Sequence, residues 1–211
     1  MEFVAKCFSI FYKGGPVMYL ILACSLLVVA IGVERLLYYK KMNTDMDGFT
    51  AKLAPLLERD DWSAARELCR QTSGIAAAVA VKGIGYIQRG SANVESVLEG
   101  EAALAVAGLR TNLNHLDTIV TIAPLLGLLG TVIGMIGSFS VMNLKAGQPL
   151  AITGGVGEAL IATASGLCVA TLAMVVYSYF NHRLDALITD IERTCIMLVG
   201  EIKQGNRHEI A

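Results

Sequence analysis

The sequence predicts an all-α integral membrane protein with three transmembrane helices, the second and third extended into the cytoplasm, forming a homo-oligomeric ring. Three observations carry the class. Residues 14–33 hold no charged side chain and as a helix would cross about 30 Å, the thickness of a bilayer's hydrocarbon. Two longer apolar stretches, 118–144 and 150–180, flank a short turn-like segment and hold a single charge between them, Glu158. Across the 211 residues, 55% are hydrophobic and 17% charged, with mean hydropathy +0.58, which is more apolar than ordinary soluble domains.

In chain order, residues 1–13 place Phe3, Val4, Cys7, Phe8, Phe11 and Tyr12 at helical spacing and read as a helix lying in the membrane interface. Gly14-Gly15-Pro16 breaks it, and Pro16 suits the first turn of the next helix, the span 14–33. This span reads as an uncleaved anchor, since the preceding residues are only weakly basic and no Ala-x-Ala site follows. Residues 34–115 form a polar helical region. Within it, 47–58 and 61–71 are short amphipathic helices with acidic starts, and 75–87 is apolar but too short to span. From about Asn93 the helical pattern runs unbroken into the second span, 116–142, with His115 and Asp117 at the membrane boundary as interfacial anchors or a proton antenna. A loop at 143–153 contains Asn143, Gly147 and Pro149. The third span, 154–180, continues into a tail, 181–211, that keeps apolar spacing at Leu184, Leu187, Ile191 and Leu198.

Basic residues set the orientation. Ten of the seventeen Lys and Arg fall within 34–117 and four within the tail, against Lys145 alone in the 143–153 loop. By the positive-inside rule the middle region and tail are cytoplasmic, and the N-terminus and loop face outward.

The second and third spans carry an uncommon face. Ala123, Gly127, Gly130, Gly134 and Gly137 recur at spacings of 4, 3, 4 and 3, and Ala159, Thr163, Gly166, Ala170 and Ala173 repeat the pattern. Small residues at helical period let backbones approach closely inside lipid, where apolar side chains gain little by leaving the tails. Three helices enclose no lumen, so these stripes also argue for a homo-oligomer lined by the second and third spans. Thr131 and Thr163 each add a hydroxyl, and Gly147 lies midway between them, which in an antiparallel hairpin sets them at nearly one depth. Either hydroxyl could instead bond back to its own helix. Glu158 is an intramembrane acid and so a candidate for function, with reach to the interface or a subunit contact as the plain alternative. Ser165 is a further hydroxyl that could join an ion pathway.

Other chemistries find no support. A net charge of −1 leaves no basic footprint for nucleic acid. The five cysteines share no metal or CxxC spacing and read as small apolar residues. No phosphate loop, nucleophile elbow or metal-ligand cluster is present, so neither a catalytic residue nor a metal or other cofactor is expected. An intramembrane enzyme built on Glu158 would lack a second catalytic group at its depth.

The strings Ala-Pro-Leu-Leu-Gly-Leu-Leu-Gly-Thr-Val-Ile-Gly-Met-Ile (123–136) and Glu-Ala-Leu-Ile-Ala-Thr-Ala-Ser-Gly-Leu (158–167) resemble the MotA/TolQ/ExbB proton-channel family, most nearly its ExbB and TolQ branch. Gly14-Gly-Pro-Val-Met-Tyr19 and Glu34-Arg-Leu36 are similar to the start of ExbB-like members. The resemblance implies a pentameric ring in the bacterial inner membrane, with the N-terminus periplasmic and the C-terminus cytoplasmic. It implies two copies of an ExbD-like single-span partner inside the ring, whose intramembrane Asp faces Thr131 and Thr163, with Glu158 matching the family's glutamate. Ion flow would then energise outer-membrane import through a TonB-like protein, with membrane lipids around the ring. A TolQ-like role in envelope maintenance shares every one of these motifs, and a non-conducting membrane scaffold is the reading in which the stripes only pack. A flagellar stator fits less well, because that branch has four spans and a larger cytoplasmic domain.

Overall fold

The structure, a computed structural model, describes residues 14–89, 93–144 and 149–210, with the side chains of 141–144, 149–153 and 204–210 left out of the description. The expected interfacial helix at 1–13 lies outside the described residues. Among those described there is no strand. Seven helices follow in order: α1 (Val17–Met42), α2 (Met46–Leu57), α3 (Trp62–Gln71), α4 (Ile75–Ile87), α5 (Val94–Arg110), α6 (Leu113–Leu144) and α7 (Pro149–Ile210). Three of them, α1, α6 and α7, are long and apolar enough to cross a membrane.

The chain divides into two compact units. The first comprises residues up to Val33 together with Asn112–Tyr179, and so holds the apolar part of α1, α6 and the first half of α7. Where α6 meets α7 its interior is made of small residues. Ala123, Ala159, Ala162 and Ala173 are buried, whereas Leu125, Leu128, Val132, Ile136, Leu160, Leu167 and Leu172 are exposed. This inverts the pattern of a soluble bundle. Bulky apolar groups lose nothing by facing lipid or a second subunit, while backbone contact between helices needs small ones. At the start of α1, Val17, Met18 and Ile21 form a buried cluster with Leu126 and Val169 packed on it.

The second unit comprises Glu34–Thr111 and the chain from Phe180 onward. It has a conventional core in which Phe49, Leu53, Leu57, Ala65, Cys69, Ala80, Ile84, Leu98, Leu184 and Ile191 are buried. The Asp61 carboxylate caps α3 by accepting from the Ala64 amide at 3.0 Å. Gly74, with φ +121°, turns the chain into α4 against Thr44. Burial pushes the Cys69 thiol up to about 11, so near neutral pH it holds its proton. Maleimide labelling of Cys69 is expected to be at least about 100-fold slower in the folded chain than in SDS, since the thiolate is the nucleophile. Equal rates by mass spectrometry would contradict this burial.

Three boundaries differ from the sequence reading. The helix expected to run unbroken from Asn93 into the second span is interrupted at Thr111 and Asn112. Within the second unit the Leu109 carbonyl accepts from Arg35 Nη1 at 3.0 Å and from the Tyr39 hydroxyl at 2.9 Å. In a continuous helix that oxygen would take the amide four residues on; here buried side chains cap it. Arg35, only 4% exposed, is also paired with Glu34 at 2.9 Å and lies 4.8 Å from the Tyr38 ring centroid. The expected loop at 143–153 is narrower, because α6 reaches Leu144 and α7 begins at Pro149. Pro149 is thus the first helical residue, a position where its missing amide costs no hydrogen bond. At the first span the helix begins at Val17, after a turn at residues 14–16.

Candidate functional site

The site grows out of the antiparallel contact between α6 and the first half of α7. Its closeness is measured by what β-carbons would meet. One on Gly127 would lie 3.1 Å from Thr163 Cα and 3.2 Å from the Ala162 carbonyl oxygen. On Gly166 it would lie 2.6 Å from the Ala123 carbonyl oxygen and 3.0 Å from Gly127 Cα, and on Gly134 it would lie 2.9 Å from the Gly155 carbonyl oxygen. On Gly130 it would overlap the Ala162 methyl. Gly127, Gly130, Gly134 and Gly166 therefore sit where the two helices touch. Gly137 does not: it is exposed, with open space around it. Gly155 and Ser138, absent from the sequence-based stripe, extend the contact toward the loop.

This corrects the argument that the stripes require other subunits. The stripe of α6 meets that of α7 within one chain, so their periodicity is accounted for before any oligomer forms. What one chain leaves uncovered is the bulky side, including Leu128, Leu129 and Val132 on α6.

Thr163 sits inside the contact. Its hydroxyl lies 3.1 Å from the Gly127 carbonyl oxygen on the facing helix and 3.3 Å from the Ala159 carbonyl of its own turn. Thr131 is half-buried and donates at 2.6 Å to the Leu128 carbonyl. Thr163 faces Gly127, and its neighbour Ala162 faces Gly130, the residue before Thr131, so the two hydroxyls lie within about one turn of each other along the helix pair.

Glu158 lies one turn before Ala162 on α7, half-buried. Its carboxyl adjoins Gly15 at the turn that precedes α1. Ser165 is half-buried beside Gly166. His115 and Asp117 are both exposed at the start of α6. The arrangement holds Thr131, Glu158 and Thr163, with Ser138 and Ser165, along one helix pair that is otherwise glycine, alanine and aliphatic. A hydroxyl that donates to a carbonyl still has lone pairs to accept a proton, and it can exchange donor and acceptor roles by rotating. What sequence reasoning missed is the Gly127 carbonyl, since no residue type marks a backbone acceptor.

Residues 71–193 match the MotA/TolQ/ExbB proton channel family, a stretch that holds α6, Glu158 and both threonines. An ExbB homolog of Methanothermobacter thermautotrophicus is 31% identical over 196 residues, covering 91% of this chain and 69% of the relative. An ExbB-like protein of Synechocystis sp. is 31% identical over 80% of this chain and 81% of its own. The Tol-Pal system protein TolQ of Pseudomonas aeruginosa is 37% identical over 48% of this chain and 47% of its own. Such relatives are channel or transport proteins of membranes rather than enzymes. With three helices able to cross a bilayer and a family match over more than half its length, this multi-pass membrane protein belongs to the MotA/TolQ/ExbB proton channel family.

Proposed function

We propose that the chain is the ring subunit of a proton-driven motor in the bacterial inner membrane, conducting ions together with an ExbD-like single-span partner and energising outer-membrane import through a TonB-like protein. The observation that carries the proposal is the Thr163 hydroxyl, which lies between two helices as a donor toward the Gly127 and Ala159 backbone carbonyls. Its oxygen remains able to accept from a protonated carboxyl presented by a partner. In this reading Thr131 and Thr163 relay the ion past the partner's Asp, Glu158 supplies an acid on the same helix, and Ser165 is a supplementary hydroxyl. The bulky faces of α1, α6 and α7 left exposed by one chain are then covered by lipid and by four further copies in a pentamer enclosing two partner chains. The N-terminus is periplasmic and the C-terminus cytoplasmic, as the distribution of Lys and Arg favours.

Glu158→Gln is expected to assemble as the parent does and to lower ion flux per ring by at least about tenfold, because a carboxyl that exchanges protons is replaced by an amide that does not. Flux in proteoliposomes, normalised to rings counted by native mass spectrometry, checks this. Loss of the ring itself would assign Glu158 to assembly. A TolQ-like role in envelope maintenance is the second reading, favoured by the 37% identity to the Tol-Pal system protein. Complementation of strains lacking either system separates the two.

A further inference from the structure

The first span starts with a turn that has no side chains where they would matter. Gly14 is buried, Gly15 has φ +73°, and α1 begins after Pro16. A residue with a β-carbon seldom takes that backbone conformation. Space imposes a second, independent demand. A β-carbon on Gly15 would overlap Glu158 Oε1 and lie 2.8 Å from Cδ and 3.3 Å from Cγ. The Glu158 carboxyl therefore occupies the volume that any other residue at position 15 would fill. On Gly14 a β-carbon would meet Met18 Sδ at 2.8 Å and Ile161 Cγ2, one turn beyond Glu158, at 3.2 Å. The glycine pair thus brings the backbone against α7 over a full turn.

Nothing else in the described structure holds that carboxyl. Among the described residues the salt bridges join other pairs, Arg35 with Glu34, Lys82 with Glu101 and Lys203 with Glu95, and no hydrogen bond fixes Glu158. Its place is set by shape. We infer that Gly15 is a positioning residue for Glu158: by lacking a side chain it forms the slot that fixes the carboxyl against the start of the first span. The first span, remote in sequence from both channel motifs, is thereby tied to the ion pathway. The consequence for conduction rests on the role proposed above for Glu158; the slot itself does not.

The test uses the full chain with its single-span partner in native membranes. Dicyclohexylcarbodiimide, which reacts with protonated carboxyls reached through lipid, is applied and modification of Glu158 is followed by mass spectrometry. Gly15→Ala is expected to change the labelling rate by at least about threefold by displacing the carboxyl. Gly15→Asn should change it alike, because asparagine tolerates a left-handed backbone yet still carries a β-carbon. A thermal double-mutant cycle adds a readout independent of labelling: Gly15→Ala should lower the melting temperature less when Glu158→Ala has emptied the slot. Unchanged labelling in both Gly15 variants, or an equal loss with and without the Glu158 carboxyl, would overturn the inference and leave Gly15 a purely backbone requirement. Altered labelling with unaltered ion flux would uphold the slot and count instead against Glu158 as part of the pathway.

Discussion

Thr163→Val is expected to leave the ring assembled and bound to its partner while lowering ion flux per ring by about tenfold or more. The two halves of this expectation come from different magnitudes. Valine keeps the shape of threonine, and the structural loss is the 3.1 Å bond to the Gly127 carbonyl. Hydrogen bonds between membrane helices average only about 0.6 kcal/mol, too little to undo a contact built on four glycines. The functional loss is larger. A relay needs an oxygen that both accepts and donates, and a bond to an ionisable group is worth about 1.5–3 kcal/mol, or tenfold and upward in rate. Thr131→Val should follow the same direction, since its hydroxyl is committed only to the Leu128 carbonyl. Flux that simply tracks the amount of surviving ring in both variants would instead support a scaffold whose hydroxyls bond locally.

Gly130→Leu has the largest expected structural effect. The β-carbon alone overlaps the Ala162 methyl, and the Val17 side chain closes the far side at 3.8 Å. Three further heavy atoms cannot be absorbed by side-chain rotation, so α6 and α7 must separate, at a cost of more than about 3 kcal/mol. The hairpin fails first, and assembly is lost as a consequence. Gly137→Leu is the control: a β-carbon there meets nothing within 4 Å, so the hairpin should keep its protease resistance and melting temperature. Native mass spectrometry should find the Gly130→Leu chain without rings. A wild-type ring population in that variant would contradict the interhelical contact.

Much of the architecture was legible because period and length are local properties. An uncharged helical stretch of this length fits a bilayer, and α1 covers 17–33 of the expected 14–33; the small amphipathic helices of the second unit match their apolar spacing within a residue or two. Legibility ended wherever a residue's meaning depends on a distant backbone atom. The break at Thr111 follows from Arg35 and Tyr39 reaching the Leu109 carbonyl, about seventy residues away in sequence. The glycine stripe announces close approach but not to what; α7 of the same chain was as eligible as a neighbouring subunit. Pro149, taken for a loop residue, starts a helix. Gly14 and Gly15 read as a helix breaker, which they are, yet their contact with Glu158 crosses more than 140 positions and leaves no trace in spacing.

On the function proposed above, the chain conducts ions only together with its single-span partner and through the α6–α7 hydroxyls. The most direct measurement imposes a proton gradient on proteoliposomes holding the purified chain with its single-span partner, with the partner's intramembrane Asp intact or replaced by Asn, and follows the internal pH. The account predicts dissipation with the intact complex, and none with the chain alone, with the Asp→Asn partner, or with Thr131→Val and Thr163→Val combined. Equal dissipation by the intact complex and the double-threonine variant, at matched numbers of rings, would contradict it.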